Sequence, residues 1–193
     1  MIADVESSLQ ATVSTIQKFQ FLCSGQIVEL AKLMIDVLLK GHKILICGNG
    51  GSAADAQHFA GELIASFELG LERKSLPVLA LSTNTSVLTA IANDFSYEKV
   101  FSRQVEGLGQ KGDLLIAIST SGNSANCLSA VQTARHRGML TSALTRSSSK
   151  LFDYVDVAIG VPSLSTAHIQ ACHVIAFHII SEEIDRAFAE GNS

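Results

Sequence analysis

Two segments of the same design constrain this chain most: KILICGNGGSAADA (43–56) and DLLIAISTSGNSANC (113–127). Each runs from an uninterrupted apolar stretch through a turn of Gly, Ser and Asn into a helix beginning. An apolar stretch with no polar alternation has no face to give to water, so the strand it forms must be covered on both sides. That requirement points to a parallel sheet between two layers of helix. LPVLALS (76–82), MLTSALT (139–145) and VDVAIGV (155–161) supply three further strands, giving five. Between them, helical spacing recurs over 4–39, 52–67, 84–94, 97–108, the stretch after Ser124, and 165–188, with a short helical turn around Leu151. The first of these, with Ile27, Leu30, Ala31, Met34, Val37 and Leu38 on one stripe, reads as one long helix or as two parted at Gly25. The expectation is a single α/β domain over 1–193 with an N-terminal helical segment at about 4–39. Its strand order is left open.

Composition narrows the classes of function. With 193 residues, 47% hydrophobic and two prolines, the chain buries a sizeable core. Fourteen Lys and Arg against 18 Asp and Glu give a formal charge of -4, which excludes a broad nucleic-acid or anionic-membrane footprint. Any anion must be held locally. The four cysteines are scattered without a CxxC pair, so neither a zinc knuckle nor a disulfide framework is expected. Cys47 and Cys127 adjoin the glycine turns, and their reading as small buried side chains is preferred to that of a catalytic thiol. The start MIADVESSLQ lacks a basic stretch followed by an apolar one, and no apolar run approaches the ~20 residues of a membrane span. A cytoplasmic address is expected.

The two turns lie where strands end, the edge of an open α/β sheet that binds ligands. In GNGGS, the glycines at 48, 50 and 51 permit tight backbone and Ser52 adds a hydroxyl at a helix entrance. It is neither the dinucleotide pattern GxGxxG nor a GK[ST] loop. In STSGNS, Ser119, Thr120, Ser121 and Ser124 stand within six residues around Gly122, able to converge on one phosphate without a lysine. Past the first turn, His58 and Glu62 differ by about 40° around a helix, with Asp55 near the same face. Imidazole and carboxylate so placed suit a divalent metal, acid/base catalysis, or a plain helix pair. Gln170 and His178 lie about 80° apart on the last helix and can face one cleft, while His173 is as well suited to the interior.

The segments CGNGGSAADAQHFAGEL, LTAIANDF, FSRQVEGLG, GDLLIAISTSGNSANCLSAV and IQACHVIAFH, in this order, resemble the sedoheptulose 7-phosphate (phosphoheptose) isomerases of the sugar isomerase domain superfamily. The resemblance spans about residues 27–184. It implies a flavodoxin-like three-layer sandwich and a homotetramer with active sites at subunit interfaces. It implies one Zn2+ per subunit on His58, Glu62, Gln170 and His178. Phosphate then falls to Gly50, Gly51, Ser52, Ser119, Thr120, Ser121 and Ser124, with Asn49, Asp94 and Gln170 toward the sugar. The implied reaction converts sedoheptulose 7-phosphate to D-glycero-D-manno-heptose 7-phosphate through an enediol(ate) and feeds bacterial heptose biosynthesis, with Glu62 and His178 moving protons. A closely similar non-enzymatic tetramer that binds the bacterial replication initiator, and an isomerase or sensor for another sugar phosphate, are the alternatives. The chain departs from the family at Ser66, where arginine is usual, at His168 and Ala171 beside Gln170, and in RSSSKLF (146–152), which stands in place of a glycine-rich loop.

Overall fold

A computed structural model describes residues 1–189; the last four residues of the expected domain lie outside it. The elements in order are α1 (Ile2–Leu39), β1 (Ile44–Gly48), α2 (Gly51–Ile64), β2 (Val78–Ala80), α3 (Thr85–Asp94), a 3-10 turn Tyr97–Lys99, and α4 (Ser102–Leu108). Then come β3 (Leu114–Ser119), α5 (Ala125–His136), β4 (Leu140–Arg146), a 3-10 stretch Lys150–Tyr154, β5 (Val157–Val161) and α6 (Thr166–Phe188). All five expected strands form one parallel sheet, ordered β2-β1-β3-β4-β5. That is the flavodoxin-like order.

The period of two within a strand explains the layers. Ile44, Ile46, Leu114, Ile116 and Ile118 point into a core shared with α1, α2 and α6, where Phe19, Leu30, Met34, Phe59 and Phe177 are buried. Leu45, Cys47, Leu115 and Ala117 point the other way, into a core with Val105, Cys127, Val131 and Leu151. Every residue of β1 and β3 is buried. The chain leaves β1 in one direction, toward β2, and β3 in the other, toward β4 and β5. The switch point therefore falls between β1 and β3, and both glycine turns sit at its carboxyl edge.

Three details refine the sequence reading. Gly25 does not interrupt α1, which is one helix of 38 residues. Helix α2 stops at Ile64 rather than near Phe67, because the carbonyls of Glu62 and Leu63 are taken by the Arg73 guanidinium and the amides of Phe67 and Glu68 by the Asp185 carboxylate. The pattern over 97–108 is broken into a 3-10 turn and α4.

His173 belongs to the interior. Fully buried on α6, it faces the Thr145 carbonyl of β4 at 3.4 Å from Nε2, and its Nδ1 has no partner. Burial pushes this imidazole down to about 4, against a smaller opposing pull from the Thr145 carbonyl. Its folded-state pKa lies below the unfolded value near 6.5, so between those values the unfolded chain takes up a proton that the native state refuses. Stability therefore falls as pH drops from about 6.5 to about 4, by roughly 3 kcal/mol from this residue. Urea denaturation of His173→Phe across that range is expected to show a flatter pH dependence than the parent; an unchanged slope refutes the assignment.

Candidate active site

The end of β1 and the start of α5 are joined by a reciprocal amide pair: Asn49 Nδ2 donates to Asn126 Oδ1 and Asn126 Nδ2 to Asn49 Oδ1, both at 2.8 Å. The Tyr97 hydroxyl donates to Asn49 Oδ1 at 3.0 Å. Asn49 is thus fixed at the switch point by two residues that the sequence reading did not single out. Asn126 is concealed in the sequence as an ordinary residue in a first helical turn. Tyr97 lies in the irregular link after α3.

The second turn is organised by its own hydroxyls. Ser119 and Ser124 lie Oγ to Oγ at 3.0 Å, and the Gly122 amide donates to Ser119 Oγ at 3.1 Å. The Asn123 amide donates to Ser121 Oγ at 3.2 Å. Gly122 has φ +65°, and a Cβ there would stand 2.1 Å from Ser149 Cβ and 2.7 Å from Thr145 Oγ1. The RSSSKLF segment therefore packs directly under this turn. Across the switch point, Gly50 (φ +55°) leads into α2, whose first turn carries the buried Ser52. A Cβ on Gly51 would meet Gln170 Nε2 at 2.4 Å. Glycine at 51 is what lets α6 bring Gln170 this close.

Helices α2 and α6 pack through Phe59 and Phe177, whose rings stack at 5.2 Å. This contact brings the titratable residues together. His58 Nε2 lies 2.8 Å from Glu62 Oε1 and 3.5 Å from His178 Nε2. One ligand atom from each of the three falls within 4.8 Å of the others. Glu62 Oε2 has no hydrogen-bond partner among the described residues. Gln170 lies a little over two turns before His178 on α6, its Nε2 donating to Asp55 Oδ1 at 3.4 Å. Burial pushes the Asp55 carboxyl up, against Gln170 and His58, which favour its charged form; its Oδ2 has no partner.

The imidazoles of His58 and His178 and the Glu62 carboxylate are a donor set that could hold a divalent metal ion. Two imidazole nitrogens and a carboxylate oxygen crowd one point where at most two of them can share a proton. Donation from Gln170 Nε2 to Asp55 leaves the amide oxygen uncommitted. Asp94 stands apart from these residues. Its carboxylate accepts from Asn93 Nδ2 at 2.8 Å, and it lines a groove of about 610 Å³ between α3 and α4.

A model described as the SIS domain matches residues 8–146. A phosphoheptose isomerase of Coxiella burnetii is 49% identical over 185 residues, covering 94% of this chain and 90% of its own. The structure of the Neisseria gonorrhoeae phosphoheptose isomerase superposes with a TM-score of 0.89 at 41% identity, over 95% of this chain and 98% of that one. The chain belongs to the phosphoheptose isomerase family. A Francisella tularensis phosphoheptose isomerase structure agrees, with a TM-score of 0.92 at 34% identity over 96% and 98%. Within the phosphoheptose isomerase fold, three of the departures have local explanations, and nothing in the structure explains Ala171. The Ser66 hydroxyl donates to Asp185 Oδ2 at 3.2 Å, His168 Nδ1 lies 3.5 Å from Thr15 Oγ1 on α1, and the serine segment turns at Ser148 with φ 64° before burying Leu151.

Gly122→Ala is expected to lower stability by about 2 kcal/mol, from left-handed backbone and overlap with Ser149. Adding Ser149→Gly should recover part of that loss in urea denaturation. Equal stability of Gly122→Ala and the parent would show that the serine segment does not support the turn.

Proposed function

We propose that the protein isomerises sedoheptulose 7-phosphate to D-glycero-D-manno-heptose 7-phosphate, a step toward bacterial heptose in the cytoplasm. The observation that carries this reading is the meeting of His58 and Glu62, on the same βα unit that presents the GNGGS turn, with His178 of α6. Ser52 and His58 are six residues apart, about 9 Å along the helix axis. This separation suits a ligand several carbons long with phosphate at one end and carbonyl at the other.

In this reading the phosphate rests against the α2 entrance, at Gly50, Gly51 and Ser52, and against the hydroxyls of Ser119, Thr120, Ser121 and Ser124. Asn49, held by Asn126 and Tyr97, presents its amide to the sugar hydroxyls. Glu62 removes the proton from C1 of the ketose, the electrons move into a C1–C2 double bond as the C2 oxygen takes up negative charge, and a proton returned to C2 leaves the aldose. Oε2 is the oxygen for this transfer, because Oε1 faces His58. His178 exchanges protons with the oxygens on C1 and C2. A Zn2+ held by His58, Glu62, Gln170 and His178 would supply carbonyl polarisation; because one lone pair cannot serve metal and proton at once, His178 would move protons only with the ion displaced from it. The partners are the seven-carbon sugar phosphate and further copies of the chain, in a homotetramer. Support for assembly comes from uncovered apolar side chains, Ile2, Val5, Leu9 and Val13 along the start of α1, and from α3, whose apolar residues are at most partly buried. Asp94, on the α3 groove, reaches a sugar only if the site is completed across such an interface.

Purified protein with defined metal content is incubated with sedoheptulose 7-phosphate while ketose loss and aldose phosphate formation are followed. Turnover is expected; none with or without added zinc sinks the proposal. Glu62→Gln is expected to lower kcat by at least ~100-fold, the usual scale of a general base, with oligomeric size unchanged. A rate close to the parent's removes Glu62 from that role.

A further inference from the structure

Arg73 and Asp185 form an ion pair in which both side chains are fully buried. Arg73 Nε reaches Asp185 Oδ1 at 2.5 Å, Nη2 donates to the carbonyl oxygen of Glu62 at 3.0 Å, and Nη1 to those of Leu63 at 2.9 Å and Lys74 at 3.1 Å. The other carboxylate oxygen, Asp185 Oδ2, accepts from Ser66 Oγ and from the amides of Phe67 at 2.8 Å and Glu68 at 2.9 Å. Burial alone would raise the Asp185 carboxyl; the Glu68 amide, Arg73 and the Phe67 amide outweigh it and hold the group below its ordinary value.

What this pair touches is the frame of the proton-transfer groups. Arg73 holds the backbone carbonyl of Glu62 itself. Asp185 follows His178 by seven residues, two turns and about 20° around α6, so both lie on one helix face. Phe67, fixed through its amide, places its ring 5.4 Å from the His178 imidazole. The same two charges therefore fix the end of the helix bearing the base, the helix bearing the acid, and a ring packed on the acid. We infer that the Arg73–Asp185 pair is a positioning element that sets Glu62 and His178 relative to one another, with Ser66 as its additional donor. This rests on Glu62 and His178 as the acid/base pair. A buried ion pair is commonly no more stabilising than an apolar pair of similar volume, whereas a misplacement of about 1 Å in a reacting group can cost ~100-fold in rate.

The test is the double variant Arg73→Met/Asp185→Leu, which removes both charges together and leaves neither unpaired. Two readings are taken on the full-length protein: kcat and KM for sedoheptulose 7-phosphate, and Co2+ affinity from the absorbance of the bound ion. With the melting temperature and oligomeric size retained, kcat is expected to fall ~10- to 100-fold and Co2+ to bind about tenfold more weakly. KM should stay within about threefold, since the phosphate turns are untouched. A folded double variant with the parent's kcat and Co2+ affinity overturns the inference. Should that variant not fold, Arg73→Lys decides by the same readings: it keeps the charge but lacks the fork that spans Asp185 and two carbonyls. Absence of turnover in the parent refutes the functional reading, and Co2+ affinity then still decides the positioning role.

Discussion

The pairing of β1 with β3 is the constraint on which the rest of this structure depends. Ile44 lies beside Leu114 and the register runs on to Gly48 beside Ile118, so both strands end together and release their turns side by side. Slipping the pair by one residue would exchange the side chains facing the two cores, turning Ile44 and Ile46 toward the space sized for Leu45 and Cys47. Register, layer packing and the adjacency of GNGGS and STSGNS are thus one fact. The Asn49–Asn126 amide pair closes across the same edge and makes it rigid where a ligand would enter.

Electrostatics divides the molecule along the α2–α6 contact. Toward solvent, His58, Glu62 and His178 lie partly open, with atoms close enough to share a proton or an ion. Toward the interior, Arg73 and Asp185 are sealed and their hydrogen-bonding capacity is almost wholly used. Phe177 packs on His58 and His178, and Phe67 on His178. The buried pair meets this ring cluster at Phe67, whose amide donates to Asp185.

Much of this was legible in the sequence, for a physical reason. Strands with no polar alternation and helices with clear stripes leave few alternatives, so the five strands and the order of helices follow from local pattern. The three-residue convergence of His58, Glu62 and His178 was readable in part, since helical spacing placed the first two together and left the third to the fold. Strand order was not readable, because it depends on which apolar runs pair over long distances. The roles of Arg73 and Asp185 were hidden for the same cause. An arginine in a charged link and an aspartate in a final helix look like surface residues until the tertiary contact buries both. The sequence marks Ser66 only as a departure from the usual arginine; the fold gives it a place in the Asp185 network.

Helix α1 carries a different kind of information. Its buried stripe begins only at Thr15, so roughly three and a half turns extend past the rest of the chain with apolar residues uncovered. An isolated helical stretch of that length is marginal in water and frays. In the proposed homotetramer its order would be borrowed from a neighbouring copy, and the amide protection and protease resistance of this end would then track protein concentration. The overhang would in that assembly be a built-in gauge of association, readable without reference to catalysis.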